Sequence, residues 1–169
     1  MFMRKKGNKE SGLTLIELTV AMGIFGLVAT MAVGMVVIAL VSQRRIISLR
    51  NIEDNARFAL ESMARQIRTG KNFGGGGSSL SFTNAKGESV IYRLNNKTIE
   101  KSSDGGANYS VVTGPEVTVD YLNFYPLGQS SGDGLEPRVT ITIGITSQVG
   151  SQISNTKIQN TVSQRPLQL

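Results

Sequence analysis

The chain contains no cysteine, no histidine and no tryptophan among its 169 residues. Without cysteine and histidine it has no thiolate nucleophile, no imidazole general base and no zinc site of the usual kind. The absence of cysteine does not indicate whether the protein works in an oxidising or a reducing compartment, since secreted domains can fold without disulfides. Because most of the common catalytic groups are absent, we expect no catalytic residue, no metal site, no cofactor and no enzymatic activity.

Charge is also missing from one long stretch near the N-terminus. Between Leu13 and Val41 the only ionisable side chain is Glu17. As a helix this stretch would be about 43 Å long, which exceeds the roughly 30 Å hydrocarbon core of a bilayer. It is longer than the apolar part of a secretory signal, and no Ala-x-Ala-like cleavage site follows it. The pattern therefore predicts a transmembrane helix.

A short basic segment precedes this apolar stretch. Residues 1–12 carry four basic side chains and one acidic one, Glu10, and so hold three of the six net positive charges. Under the positive-inside rule, such a segment stays in the cytoplasm. The high net charge is thus partly a targeting feature, and nucleic acid is not expected as a partner.

Beyond Val41 the pattern becomes amphipathic, with no proline or glycine before Gly70. Apolar residues recur at spacings of three and four, which predicts a helix with one buried stripe. The stripe comprises Leu49, Ile52, Ala56, Leu60, Met63 and Ile67. We predict one continuous helix from about residue 14 to residue 69, with a transmembrane and assembly part at 13–41 and an amphipathic continuation at 42–70. The ion pairs predicted on its exposed side join Glu53 to Arg57 and Glu61 to Arg65.

The rest of the chain has the pattern of a β domain. A Gly/Ser-rich stretch at residues 71–79 predicts a flexible linker, and residues 80–169 alternate between apolar and polar residues as strands do. The predicted strands lie near 80–82, 90–94, 98–101, 109–113, 117–125, 139–145 and 153–162. With no second helix evident, we predict the α+β class. The long N-terminal helix packs its outer half on a C-terminal antiparallel sheet.

The decisive residues lie where the apolar stretch begins, in the segment ESGLTLIEL around Gly12. Here Glu17 follows Thr14 by three positions. A carboxylate in a membrane helix costs about 2.5–3.5 kcal/mol at the bilayer centre and less near its edge. Taken alone, Glu17 is equally well explained as an acid that reaches back to the interface and pairs with Lys6 or Lys9.

With its neighbours, this junction resembles the type III signal sequence of type IV prepilins and pseudopilins. In that signal a basic leader and a glycine precede an apolar residue, Thr, Leu, Ile and Glu. Gly12 matches the residue before the cut, Leu13 the new N-terminus and Glu17 the fifth mature residue. Leu13 replaces the usual Phe or Met within the apolar class. The resemblance implies cleavage between Gly12 and Leu13, N-methylation of Leu13, and assembly roles for Glu17 and Thr14.

The resemblance also implies a function and a set of partners. The chain would be a structural subunit of a type IV pilus, a type II secretion pseudopilus or a competence pilus. Its partners would be a prepilin peptidase, other pilin or pseudopilin subunits bundled through their helices, the inner-membrane assembly platform and, before assembly, the lipid bilayer. It would cross the cytoplasmic (inner) membrane once, with a cytoplasmic N-terminus and a periplasmic or extracellular C-terminal domain.

Weaker similarities favour a minor subunit over the major one. Residues 55–61 and 65–68 are similar to the helix of minor pilins and J-type pseudopilins, and residues 158–165 are similar to their C-terminal tail. Two other classes stay open. One is a single-pass anchored β domain that binds a ligand and never polymerises, and the other is a membrane-tethered enzyme that uses a Ser–Lys pair.

Two ligand hypotheses are also considered. Loop acids offer oxygen ligands for calcium, although they lack the spacing of an EF-hand: Asp104, Asp120, Asp133 and Glu136. Arginines make the start of the outer helix basic: Arg44, Arg45, Arg50 and Arg57. Solvated loops explain the acids better than calcium does, and lipid headgroups or intersubunit contacts explain the arginines better than DNA does.

Overall fold

The computed structural model describes residues 12–129 and 135–165. Its described residues form one helix, α1 (Leu15–Arg68), followed by eight strands. Backbone contacts divide the chain into two compact units, Met1–Ser42 and Gln43–Leu169. Helix α1 therefore contributes its first part to one unit and its second part to the other. The α+β class predicted from the sequence is confirmed.

The first unit presents an apolar helix whose side chains are exposed within the unit. From Gly12 to Ser42, only Ala29 is even half-buried. A helix that is apolar on all sides is typical of a segment that lies in lipid or among other helices. The predicted leader, residues 1–12, lies outside the described residues except for Gly12.

The second part of α1 buries one stripe of side chains, as its spacing of three and four predicted. The inclusion of Leu49 in that stripe is wrong, because Leu49 is 38% exposed. Ser48 is buried in the stripe in place of Leu49. Its Oγ donates a hydrogen bond to the Ser147 carbonyl oxygen at 2.9 Å. The buried residues of α1 are Ser48, Ile52, Asn55, Ala56, Ala59, Leu60, Met63 and Ile67.

Eight strands form two antiparallel sheets, where the sequence suggested one. The strands are β1 (Lys71–Gly76), β2 (Ser79–Thr83), β3 (Ser89–Asn95), β4 (Thr98–Ser102), β5 (Ser110–Val111), β6 (Val117–Leu127), β7 (Arg138–Val149) and β8 (Gln152–Ser163). Strands β1 to β5 form a five-stranded sheet in chain order, and β6 to β8 form a three-stranded sheet. The backbone of Gly77 exchanges hydrogen bonds with that of Phe124 in β6, and the Val119 N–H of β6 donates to the carbonyl oxygen of Lys97, between β3 and β4, at 2.9 Å.

Residues 71–79 were expected to form a flexible linker, but most of them form strand β1 and the start of β2. β1 pairs antiparallel with β2 across an irregularity in register, and the Phe73 side chain is buried. Gly75 has a φ of 83°, a left-handed backbone that glycine adopts without strain. A Cβ at Gly75 would lie 2.9 Å from the Ser79 carbonyl oxygen. These glycines allow close backbone approach, which composition alone does not distinguish from a flexible joint.

One hydrophobic core joins the second part of α1 to both sheets. The alternation predicted around residues 139–145 is confirmed, since every second residue of this part of β7 is fully buried: Val139, Ile141, Ile143 and Ile145. The five-stranded sheet contributes Tyr92, whose ring is buried and whose hydroxyl lies 3.4 Å from the Ser62 Oγ. Burial raises the pKa of the Tyr92 hydroxyl. Tyr92 is therefore part of the packing and offers no exposed stacking platform.

Asn55 interrupts the apolar stripe and ties α1 to the loop before β6. Its Nδ2 donates to the Glu116 Oε1 at 2.8 Å and to the Asn51 carbonyl oxygen at 2.9 Å, while its Oδ1 accepts from the Gly114 N–H at 2.7 Å. The hydrogen bond from Asn55 lowers the pKa of the Glu116 carboxyl, because it favours the charged form. The amide is thus satisfied, and it fixes how the helix sits on this loop.

Replacing Asn55 with alanine is expected to lower the free energy of unfolding by about 2 kcal/mol, because the Gly114 N–H loses its partner. Denaturant unfolding of the full chain in detergent micelles, followed by tyrosine fluorescence, measures this change. The control is Asn51→Ala, one turn earlier, since the Asn51 side chain makes no hydrogen bond with a described residue. Equal midpoints for the two variants would contradict the anchoring role of Asn55.

Candidate processing and assembly site

The start of α1 is capped by Thr14. Its Oγ1 accepts a hydrogen bond from the Glu17 N–H at 3.3 Å, and its carbonyl oxygen accepts one from the Leu18 N–H at 3.2 Å. Thr14 is therefore the N-cap residue and Glu17 the third residue of the helix, the positions of Thr and Glu in a capping box. The Thr-x-x-Glu spacing in the sequence already indicates this capping role of Thr14, for which only an assembly role was predicted.

Gly12 and Leu13 precede the cap and lie outside the helix. No heavy atom of the described residues lies within 4 Å of where a Cβ on Gly12 would stand, apart from its chain neighbours. The Leu13 side chain is 76% exposed. Because the helix begins at Leu15, the backbone around the Gly12–Leu13 peptide bond is free of the helical ladder. A protease has access to this bond without unwinding α1.

Glu17 lies in the first turn of α1 and is exposed. A carboxylate in the first turn is stabilised by the positive end of the helix dipole. Glu17 forms no salt bridge with any residue in the described part of the chain, where the one ion pair joins Arg93 to Glu100. The suggested partners Lys6 and Lys9 lie outside the described residues. Within the part of the chain that the structure describes, the Glu17 carboxylate therefore has no ionic partner.

Apolar side chains follow Glu17 around the whole circumference of the helix. Large exposed ones recur throughout this part of α1: Leu18, Val20, Met22, Ile24, Phe25, Leu27, Val28, Met31, Val33, Met35, Val36, Val37, Ile38 and Leu40. In water such a surface is costly, at about 25 cal/mol for each Å². Among the described residues α1 is the one helix that is long and apolar enough to cross a membrane. Its composition therefore supports membrane anchoring.

A comparison with protein families identifies the motif. The family described as the prokaryotic N-terminal methylation motif matches residues 7–33, which include the Gly12–Leu13 bond and Glu17. The chain fits a type IV pilin-like protein. No curated protein and no solved structure matches it significantly.

The family match ends within the first part of α1 and leaves the β domain unassigned. The pilin-like family is structural rather than catalytic. In the described residues no three His, Cys, Asp or Glu side chains are placed to hold a metal ion together. Asp104, one of the candidate calcium ligands, instead accepts hydrogen bonds from the Asn108 backbone N–H and the Ser102 hydroxyl. These bonds hold the pKa of the Asp104 carboxyl well below its usual range.

The other three candidate calcium ligands are Asp120, Asp133 and Glu136. Asp120 accepts a hydrogen bond from the Thr146 hydroxyl at 2.7 Å. Asp133 lies outside the described residues. Asp104 therefore accepts hydrogen bonds within its own loop, and Asp120 accepts one from the neighbouring strand β7.

Proposed function

We propose that this chain is a structural subunit of a type IV pilus-like or type II secretion or competence pseudopilus filament. A prepilin peptidase cuts after Gly12, and the new amino group of Leu13 is methylated. The observation that supports this proposal most is the methylation motif on an accessible peptide bond, two residues ahead of a capped helix. The chain has no catalytic role and needs no cofactor in this proposal.

The position of the cut relative to Thr14 has a physical consequence. Cleavage leaves the N-cap in place, so α1 keeps its first turn after the leader is lost. It also leaves a positive amine at the positive end of the helix dipole, which is unfavourable. Removing the basic leader takes away the nearby bases that compete for Glu17. A Glu17 carboxylate from a neighbouring subunit then neutralises the amine of Leu13.

The apolar part of α1 is suited to two successive environments, the membrane and the filament. Before assembly it lies in the cytoplasmic membrane, held there by the assembly platform and lipid. In the filament it bundles with the helices of other pilin subunits, where an unpaired buried charge would be heavily penalised. Pairing of Glu17 with the N-terminus of a neighbouring subunit therefore stabilises the correct axial register of the helices. The leader faces the cytoplasm, and the β domain faces the periplasm or the exterior.

The finer proposal is a minor subunit. Its support is the similarity of residues 55–61 and 158–165 to minor pilins and J-type pseudopilins. Asn55, within the first segment, anchors the helix to the loop before β6. Folding therefore explains the presence of Asn55 without any role in a minor subunit. The assignment to a minor role therefore rests on the similarity alone.

Filament recovery tests the proposal. The chain is expressed in a host that has a prepilin peptidase and a pilus assembly apparatus, and filaments are sheared from the cells and sedimented. We expect the processed chain in the filament fraction, and without the peptidase we expect it in the membrane alone. A processed chain that never leaves the membrane would contradict the proposal and favour an anchored binding protein.

A further inference from the structure

The exposed side of α1 in the second unit carries charged residues of both signs. Apart from the adjacent Glu53 and Asp54, their positions recur every three or four residues. They therefore line the side of the helix opposite the buried stripe. They are Arg50, Glu53, Asp54, Arg57, Glu61, Arg65 and Arg68, and all of them are exposed. We call this set the charged face. It is bordered by Phe58, whose side chain is 62% exposed.

The charged face has no ionic partner among residues 12–129 and 135–165. The ion pairs predicted between Glu53 and Arg57 and between Glu61 and Arg65 do not form in the structure. The salt bridge found among the described residues joins Arg93 to Glu100 on neighbouring strands. The prediction is wrong because exposed side chains of this length gain little from pairing along one helix. These charges are therefore available to another molecule.

The order of the charges makes the face complementary to itself. Charged residues four positions apart have opposite signs in each case: Arg50 and Asp54, Glu53 and Arg57, Arg57 and Glu61, Glu61 and Arg65. Two parallel copies shifted by four residues, about 6 Å along the helix, would thus bring only opposite charges together. With no shift, every charge meets its like. With a shift of seven, Arg50 meets Arg57 and Asp54 meets Glu61, against one opposite pair, Glu61 with Arg68. A shift of three also brings like charges together, at Arg65 and Arg68.

We propose that the charged face is the contact between neighbouring copies of this chain, packed in parallel with a displacement of four residues. This inference rests on the proposed filament function. In the sequence, four positions also separate Leu13 from Glu17. Exposed ion pairs add little affinity, but like-charge contacts are strongly disfavoured, so the face selects the register.

The occupant is a second copy because the face is complementary to its own sequence. A membrane surface would select bases alone, whereas this face places acids between its arginines. The proposal requires that two copies be adjacent, which holds for a minor subunit only where its copies are neighbours. If a different pilin occupied this face, the test below would give neither the mixed nor the same-site disulfide.

Disulfide crosslinking tests the displacement, since the natural chain has no cysteine. Two tagged copies carrying Arg50→Cys and Asp54→Cys are co-expressed in the assembling host, and sheared filaments are oxidised. We expect the mixed disulfide to exceed both same-site disulfides by roughly tenfold, because bridging needs Cα atoms within about 7 Å. Asp120→Cys, exposed outside the charged face, is the control and should give none. Dominant same-site disulfides, or filaments in which no disulfide joins two copies, would overturn the proposal.

A charge swap supplies the second measurement. Arg50 and Asp54 are suitable because neither has a second charged residue four positions away. Arg50→Asp or Asp54→Arg alone should reduce the chain in the filament fraction several-fold, and the double variant should restore it. Failure of the double variant to restore assembly contradicts the proposed register.

The two hypotheses fail in different ways. A chain with its terminus at Leu13 that enters filaments without the mixed disulfide overturns the displacement and leaves the proposed function standing. A chain that is neither processed nor found in filaments overturns both.

Discussion

Glu17→Gln is expected to reduce filament incorporation by at least roughly a hundredfold while the chain still inserts in the membrane and is still cut. Glutamine has nearly the size of glutamate, but it carries no charge to neutralise the terminal amine of a neighbouring subunit. An uncompensated buried charge costs about 3–5 kcal/mol, which corresponds to this loss. The ratio of the chain in sheared filaments to the chain in membranes measures the effect.

The matched control for this prediction is Thr14→Ser. Serine keeps the hydroxyl that accepts the Glu17 N–H, so the helix cap and assembly should be unchanged. Glutamine at position 17 also preserves a capping box. Normal assembly of Glu17→Gln would therefore show that Glu17 acts in the cap of its own helix, and it would contradict a role between subunits.

Gly12→Val is expected to block processing, by at least about a hundredfold in rate, because a branched side chain beside the cut displaces the bond from the peptidase. The chain itself tolerates the substitution, since a Cβ at Gly12 meets no heavy atom within 4 Å. A loss of cleavage is therefore due to recognition by the enzyme and has no cause in folding. Intact-mass measurement of the purified chain shows whether residues 1–12 are retained.

Gly23→Ala is the control for Gly12→Val. Gly23 also has open space around its Cβ position, but it lies inside α1, beyond the cut. This variant should be processed like the natural chain. Efficient cleavage of Gly12→Val would contradict the assignment of Gly12 to the position before the cut.

Periodicity predicted most of the fold because the patterns are long. Side chains spaced by three and four residues placed α1 within one residue at each end, since nothing between Leu15 and Arg68 breaks the helix. Strict alternation placed the core of β7 correctly. Composition was misleading at residues 71–79, because a glycine that permits close packing and one that permits flexibility look the same in a sequence. The division into two sheets depends on which strands pair with which, and strand pairing leaves no periodic signal in the sequence.

The candidate site was predictable because its chemistry is local in sequence. Gly12, Leu13 and Glu17 lie within six residues, so a motif alone suffices to propose cleavage and methylation there. The cap formed by Thr14 was equally readable but was not assigned. The Asn55 link to Glu116 was not predictable, because 61 positions separate the two residues and only the fold brings them together. The roles of the site residues in cleavage and assembly stay predictions.

The N-terminus of the mature chain tests the central claim most directly. The natural chain is expressed with and without an active prepilin peptidase, and its terminus is determined by intact-mass and peptide mass spectrometry. We predict a terminus at Leu13 carrying one added methyl group when the peptidase is active, and retention of residues 1–12 when it is absent. Retention of residues 1–12 in both cases would contradict processing as a pilin-like subunit.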